Sequence, residues 1–173
     1  MRLEKSYKHL AKIENIGVVL RPQSPELKDV FIQIKALFLQ KNINLIIETN
    51  SALMIDEMWE DFEILCKKVD FLISVGGDGT LLGLARKAFK YDLPVLGINL
   101  GTLGFLTDLS MEELPKFIDD LMQNDYKINP RMIIEGQIKN RKFIAFNDIV
   151  ISRKNLSSML EVRAKIDKKA FNT

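Results

Sequence analysis

The chain has one cysteine, one tryptophan, one histidine and five prolines among its 173 residues, so little in it can cross-link, ligate or break structure. The single thiol, Cys66, excludes an internal disulfide and any cysteine-rich zinc site. It lies in residues 59–66, where apolar positions follow a helical pattern, and this marks a buried structural thiol rather than a nucleophile. The lone histidine, His9, sits in a polar, basic opening segment and is assigned no role. Long hydrophobic runs are also missing. No stretch approaches the ~20 residues of a membrane span, and the start lacks the apolar core of a signal peptide. Charge of one sign is scarce: 25 Lys and Arg against 23 Asp and Glu leave +2. The basic residues are scattered, without the stripe that nucleic-acid binding needs. The expected setting is a reducing cytoplasm, with neither nucleic acid nor membrane as partner.

An apolar content of 47% and a charged content of 28% are ordinary for a globular protein, and the length suffices to bury a core. Within this unremarkable background one stretch stands out. The apolar run Phe71-Leu72-Ile73-Ser74-Val75 empties into Gly76-Gly77-Asp78-Gly79-Thr80, and Leu81-Leu82-Gly83-Leu84 follows with helical character. The pattern is a strand-loop-helix corner. Glycines there let backbone N–H groups crowd an anion, and the helix start adds its free amides and the positive end of its dipole. Phosphate is the expected guest. A tight turn needing positive φ is the plainer use of such glycines. The pattern is neither a P-loop, which has a lysine, nor the dinucleotide motif G-x-G-x-x-G, since Leu82 stands where a glycine is required. Asp78 repels phosphate, so it needs another task, as base toward a hydroxyl or holder of a metal.

In chain order, residues 1–15 read as a polar lead-in. Residues 16–20 form a first strand, and Ser24-Pro25 caps a helix whose stripe is Leu27, Val30, Phe31, Ile34 and Phe38. A second strand covers 45–47, and Met58, Trp59, Phe62 and Leu65 mark another helix. Strands at 71–75 and 94–99 follow. Alternation of strands with amphipathic helices predicts a Rossmann-like α/β fold, a parallel sheet with helices on both faces, over 16–128. Ligands of such sheets sit at the C-terminal strand edge, where the loop of residues 99–108 also lies. Phe105 in that loop either meets a base or plugs the core. Ser110 and Glu113 have capping-box spacing, and Pro115 makes the helix start irregular. From 129 to 173 period-2 alternation replaces helical spacing, at Met132, Ile134, Gly136 and Ile138 and again at Leu160, Val162, Ala164 and Ile166. It is the start of an all-β second domain, incomplete because so few strands cannot cover their apolar face. Asn147-Asp148 before the apolar residues 149–151 either grips a ribose or base edge or makes an Asx turn.

Gly76-Gly77-Asp78-Gly79-Thr80, the stretch Asn99-Leu100-Gly101-Thr102-Leu103-Gly104-Phe105-Leu106-Thr107, and Asn147-Asp148, in this order, resemble the NAD kinases. The likeness runs from about Gly17 to the end. The glycine-aspartate element alone is shared with diacylglycerol, sphingosine and phosphofructokinases, so a lipid kinase is the alternative that it leaves open. The resemblance implies transfer of the γ-phosphate of ATP, or of a polyphosphate terminus, to the adenosine 2′-hydroxyl of NAD, with Mg²⁺ on the donor. It makes Asp78 the group that activates the hydroxyl. Gly79, Phe105, Asn147, Asp148 and Ser158 are implied on the NAD side, and Gly76, Gly77 and Thr80 on the donor side. This sequence departs from the family pattern at Asp148, where glutamate is commoner, at Gly83, where many relatives are basic, and at Ser158, where they are basic or histidine. Family members also continue into a further glycine-aspartate-glycine stretch and a serine- and threonine-rich segment. The sequence therefore resembles an N-terminal fragment of an NAD kinase, itself expected to be inactive or a weak nucleotide binder, and the full-length protein is expected to be a homo-oligomer.

Overall fold

The computed structural model describes residues 10, 12–101, 104–152, 159 and 161–171. His9, most of the lead-in and Ser158 lie outside them. The chain divides into two compact units, residues 1–133 and 134–173.

In the first unit, six strands run β1 (Asn15–Leu20), β2 (Asn44–Glu48), β3 (Trp59–Glu60), β4 (Phe71–Gly76), β5 (Val95–Asn99) and β6 (Leu109–Ser110). They form one sheet of order β3-β2-β1-β4-β5-β6, every pair parallel. The helices between them are α1 (Lys28–Leu39), α2 (Thr49–Ile55), α3 (Phe62–Lys68) and α4 (Asp78–Ala88), and α5 (Leu114–Met122) follows β6. This is the Rossmann-like α/β architecture that the alternation predicts.

Alternation within the strands assigns the helices to faces. Ile16, Val18, Leu20, Phe71, Ile73 and Val75 point to one side, where α1 contributes Phe31, Ile34 and Phe38 and α5 contributes Leu114, Ile118 and Leu121. Leu72 points to the other, with Leu65 and Cys66 of α3 and Leu84 and Ala88 of α4. Both faces are covered, which is why β4 reads as an unbroken apolar run. Phe38 is wholly buried. Phe38→Ala should lower the unfolding free energy by about 3–5 kcal/mol in a urea titration, through lost transfer energy and the cavity left behind. Cys66 is buried as expected, and burial pushes its thiol up to about 11, against a nucleophilic role.

Three local readings need correction. Met58 and Trp59 precede the helix rather than belong to it: Trp59 is in β3, Met58 is 91% exposed, and α3 starts only after Asp61, whose carboxylate accepts the Glu63 N–H at 2.9 Å. Ser24 opens a short 3₁₀ turn (Pro25–Leu27) ahead of α1, and its hydroxyl accepts from Arg21 Nε at 2.7 Å instead of capping backbone. Pro115 is not awkward, because α5 starts at Leu114 and places it in the first turn, where its missing N–H costs nothing. The Ser110–Glu113 pairing exists, with Ser110 N and Oγ donating to Glu113 Oε2 at 2.8 and 3.0 Å.

The second unit contains two antiparallel hairpins, β7 (Ile134–Ile138) with β8 (Arg141–Ala145), and β9 (Lys165–Ile166) with β10 (Lys169–Ala170). Asp167 and Lys168 both have positive φ, 48° and 67°, as a two-residue hairpin turn requires. Leu160 lies outside the described residues; of the alternation expected after it, residues 161–164 form no strand and Lys165–Ile166 do, and residues 149–151 form no strand. Ile138, Val150, Ile151 and Phe171 are exposed in this unit. Among the described residues no helix is long and apolar enough to cross a membrane.

Candidate functional site

The strand order places the glycine corner at the sheet's switch point. From β1 the chain winds outward to β2 and β3, and from β4 it winds the other way to β5 and β6, so a crevice opens between the C-terminal ends of β1 and β4. Arg21 N–H donates to Val75 O at 2.9 Å at its base. Gly76 ends β4 and is buried. A Cβ there would stand 2.4 Å from Thr80 Oγ1 and 3.1 Å from Arg21 Cβ, so close approach is what this glycine permits. No described glycine has positive φ, which corrects the plainer turn reading. Gly77 is the extended N-cap residue of α4, its carbonyl accepts from Thr80 and Leu81 N–H, and no side chain caps the helix start. The Asp78 and Gly79 amides, which those bonds do not use, are left for an outside anion.

Asp78, on the first turn of α4, turns toward the loop between β5 and β6. Its Oδ2 accepts the Phe105 N–H at 2.9 Å, and its Oδ1 accepts those of Leu106 and Thr107 at 3.1 Å each. Gly104 passes directly against the carboxylate. Leu100 N–H donates to Gly76 O at 3.0 Å and Asn99 Oδ1 accepts from Gly101 N–H at 3.0 Å, so the loop is tied to the corner at several points. Partial burial pushes the Asp78 carboxyl up, but the amides of residues 105–107 together outweigh it and hold the group below its usual range. Asp78 is therefore an anchored, fully ionised carboxylate at neutral pH. Phe105 is completely exposed at the loop tip, which rules out the core-plug reading and leaves its ring free to meet a planar partner.

On the opposite side of the same helix start lies a groove of about 470 Å³ lined by Arg21, Gly77, Gly79, Thr80, Gly83 and Lys87, among others. Of the corner residues predicted to meet phosphate, Gly77 and Thr80 line it and Gly76 does not. Gly79, assigned to the other substrate, lines it too. Arg21, Arg86 and Lys87 were missed from sequence, because Arg21 is distant in the chain and meets the α4 cations only through the fold. The available signal was the position of Arg21, directly after the first strand. Asn147 and Asp148 follow β8 in the second unit, both exposed.

Residues 16–126 match the sequence model of the ATP-NAD kinase N-terminal domain. The chain belongs to the ATP-NAD kinase family. Among curated relatives it is 44% identical over 165 residues to an NAD kinase of Sulfurimonas denitrificans, with 93% of this chain and 58% of that protein covered. It is 40% identical over 168 residues to an NAD kinase of Wolinella succinogenes, covering 95% and 58%. The chain thus spans somewhat over half the length of these relatives. A crystal structure of yeast NADH kinase complexed with NADH superposes with a TM-score of 0.64 at 18% identity, over 84% of this chain and 50% of that one, and shares the fold. In this family member the anchored carboxylate, the open helix start and the groove all fall inside the matched segment.

Proposed function

We propose that the chain forms part of an NAD kinase that moves the γ-phosphoryl group of ATP, or the terminal group of polyphosphate, onto the adenosine 2′-hydroxyl of NAD to give NADP. One observation carries this reading: a single helix start holds an anchored carboxylate next to the Asp78 and Gly79 amides, which no side chain caps. Phosphoryl transfer asks a protein chiefly for alignment and for neutralisation of charge on the moving group. Asp78 accepts the hydrogen bond of the 2′-hydroxyl and takes its proton as the new P–O bond forms. Amides at the α4 start, with the Thr80 hydroxyl, receive the phosphoryl oxygens, and Gly76 lets Thr80 sit close. Gly79 and Phe105 serve the nucleotide acceptor, Phe105 by stacking on adenine, and Asn147, Asp148 and Ser158 hold its ribose and base. Residues 129–173, which include the second unit of residues 134–173, serve as a substrate-binding β region.

Among the described residues no three His, Cys, Asp or Glu side chains converge on a metal position. A Mg²⁺ bound together with the donor would supply further neutralisation of the phosphate charge. The working enzyme is cytoplasmic and assembles as a homo-oligomer.

Labelled ATP offered separately with NAD and with diacylglycerol tests the assignment in the intact enzyme. Label should appear in NADP and not in lipid. Lipid labelling would establish the lipid-kinase alternative, and NAD binding without transfer would establish a nucleotide binder.

A further inference from the structure

Asp108 closes the loop whose amides bind Asp78, one residue beyond Thr107 and one before β6. Its backbone N–H donates to Gly97 O at 2.9 Å, and its Oδ2 accepts the Gly97 N–H at 2.9 Å. One residue thus holds both backbone polar groups of a buried position in β5. A side chain at Gly97 would have no room, since a Cβ would stand 3.0 Å from Thr107 Cα and 3.2 Å from Thr107 Cγ2. Thr107, itself buried, therefore lies flat against the strand. The ladder between β5 and β6 pairs only Ile98 with Leu109 and Asn99 with Ser110. Just before it, at Gly97, the Asp108 carboxylate takes the place of a strand carbonyl. The rest of the Asp108 side chain is open to water. From this clasp a single residue leads to the Thr107 N–H, which donates to Asp78 Oδ1 at 3.1 Å.

We propose that Asp108 is a positioning residue for the transfer: by clasping Gly97 it fixes the Thr107 end of the loop, and with it the amides of residues 105–107 that keep Asp78 aimed at the acceptor hydroxyl. The inference rests on the kinase reading for what Asp78 does, and on the hydrogen bonds alone for what holds it. The clasp needs an acceptor rather than a charge. Without that acceptor the Gly97 N–H loses its partner inside the fold, and the loop end gains freedom beside the amide nearest to it. Placement of a reacting group to within about 1 Å is worth on the order of 10²-fold in rate, and a clasp one residue from the Asp78 cradle carries part of that.

Initial rates of NADP formation by the intact enzyme, and hydrogen exchange of its amides followed by NMR, test this. Asp108→Val removes the acceptor and nearly keeps the shape. It should lower kcat about 10- to 50-fold while KM for ATP and for NAD stays within about two-fold, because a positioning residue touches neither substrate. Asp108→Asn, which still offers an oxygen to the Gly97 N–H, should bring the rate back to within about three-fold of the unsubstituted enzyme. Gly97→Ala disturbs the same contact from the strand side, through the Thr107 backbone, and should lower kcat by a similar factor; it carries the test should Asp108→Val fail to fold. In an Asp78→Asn background Asp108→Val should cost less than about three-fold, since the group it positions is gone, whereas a merely destabilising change would cost the same in both backgrounds. Amides of residues 105–107 should exchange about 10-fold faster in Asp108→Val, with those of β1 and β4 unchanged. The proposal is overturned if kcat does not fall, if the loss is as large without the Asp78 carboxylate, if asparagine restores nothing, or if exchange at residues 105–107 is unaltered. Faster exchange there in an enzyme that phosphorylates no NAD would keep the clasp and remove the kinase reading.

Discussion

Asp78→Asn should cut NADP formation by the intact enzyme about 10²- to 10⁴-fold, the usual contribution of a positioned proton acceptor. The substitution removes the negative charge and puts an amide NH₂ where one carboxylate oxygen now accepts backbone hydrogen bonds. Phe105 N–H donates to Oδ2, and Leu106 and Thr107 N–H donate to Oδ1, so either orientation of asparagine sets donor against donor. The pH dependence carries independent information. The three amides hold the Asp78 carboxyl below its usual range, so this group should impose no acid limb on the wild-type rate between about pH 5 and 8. The sign for stability is the same: a carboxyl whose pKa is lower in the folded state stabilises the fold above its unfolded value, and that contribution disappears as pH falls through the folded value. A base so acidic is a weak proton abstractor in the ground state, which suits a loose transition state where the proton leaves late. Initial rates across pH for both proteins, with urea midpoints to exclude unfolding, check the result. An undiminished rate in Asp78→Asn would remove the base assignment.

Gly104→Ala should be almost as damaging although it removes neither a charge nor a catalytic atom. A Cβ at Gly104 would stand 2.2 Å from Asp78 Oδ1, 2.5 Å from Cγ and 2.7 Å from Oδ2. The carboxylate cannot swing aside without giving up the amides that anchor it, so the loop of residues 104–107 must move away from the helix start. A displacement of about 1 Å at a reacting group costs on the order of 10²-fold in rate, and overpacking of this kind costs about 1–3 kcal/mol in stability. Gly101→Ala is the matched control, since nothing lies within 4 Å of a Cβ there. The two variants compared for NADP formation and urea midpoint should differ sharply. Equal rates would mean that the loop is not held against Asp78 during turnover.

The main strands and the glycine corner were legible because their patterns are local and long enough. Residues 16–20, 45–47, 71–75 and 94–99 all lie in or overlap sheet strands, and the stripe through Phe31, Ile34 and Phe38 is core. β3 and β6 have two residues each, too short to show alternation, and exist because a neighbouring strand supplies partners. α2 escaped notice because its N-cap acceptor is Glu48, an unusual capping residue. Met58 and Trp59 misled because apolar residues before a helix can imitate its spacing. In the site, Asp78 was visible as an acid among glycines, but its partners lie 27 to 29 residues later and depend on sheet order. The cations of the groove depend on it as well.

One bond in the first unit bears on how the protein is made. The Leu10 N–H donates to the Tyr126 hydroxyl at 2.8 Å, across 116 residues, just after α5 has covered its face of the sheet. Every ladder of the six-stranded sheet closes among residues that precede Tyr126. A ribosome that has released this much chain has released everything the parallel sheet requires, so the layer carrying Asp78 can condense during translation, before the antiparallel hairpins downstream have been made.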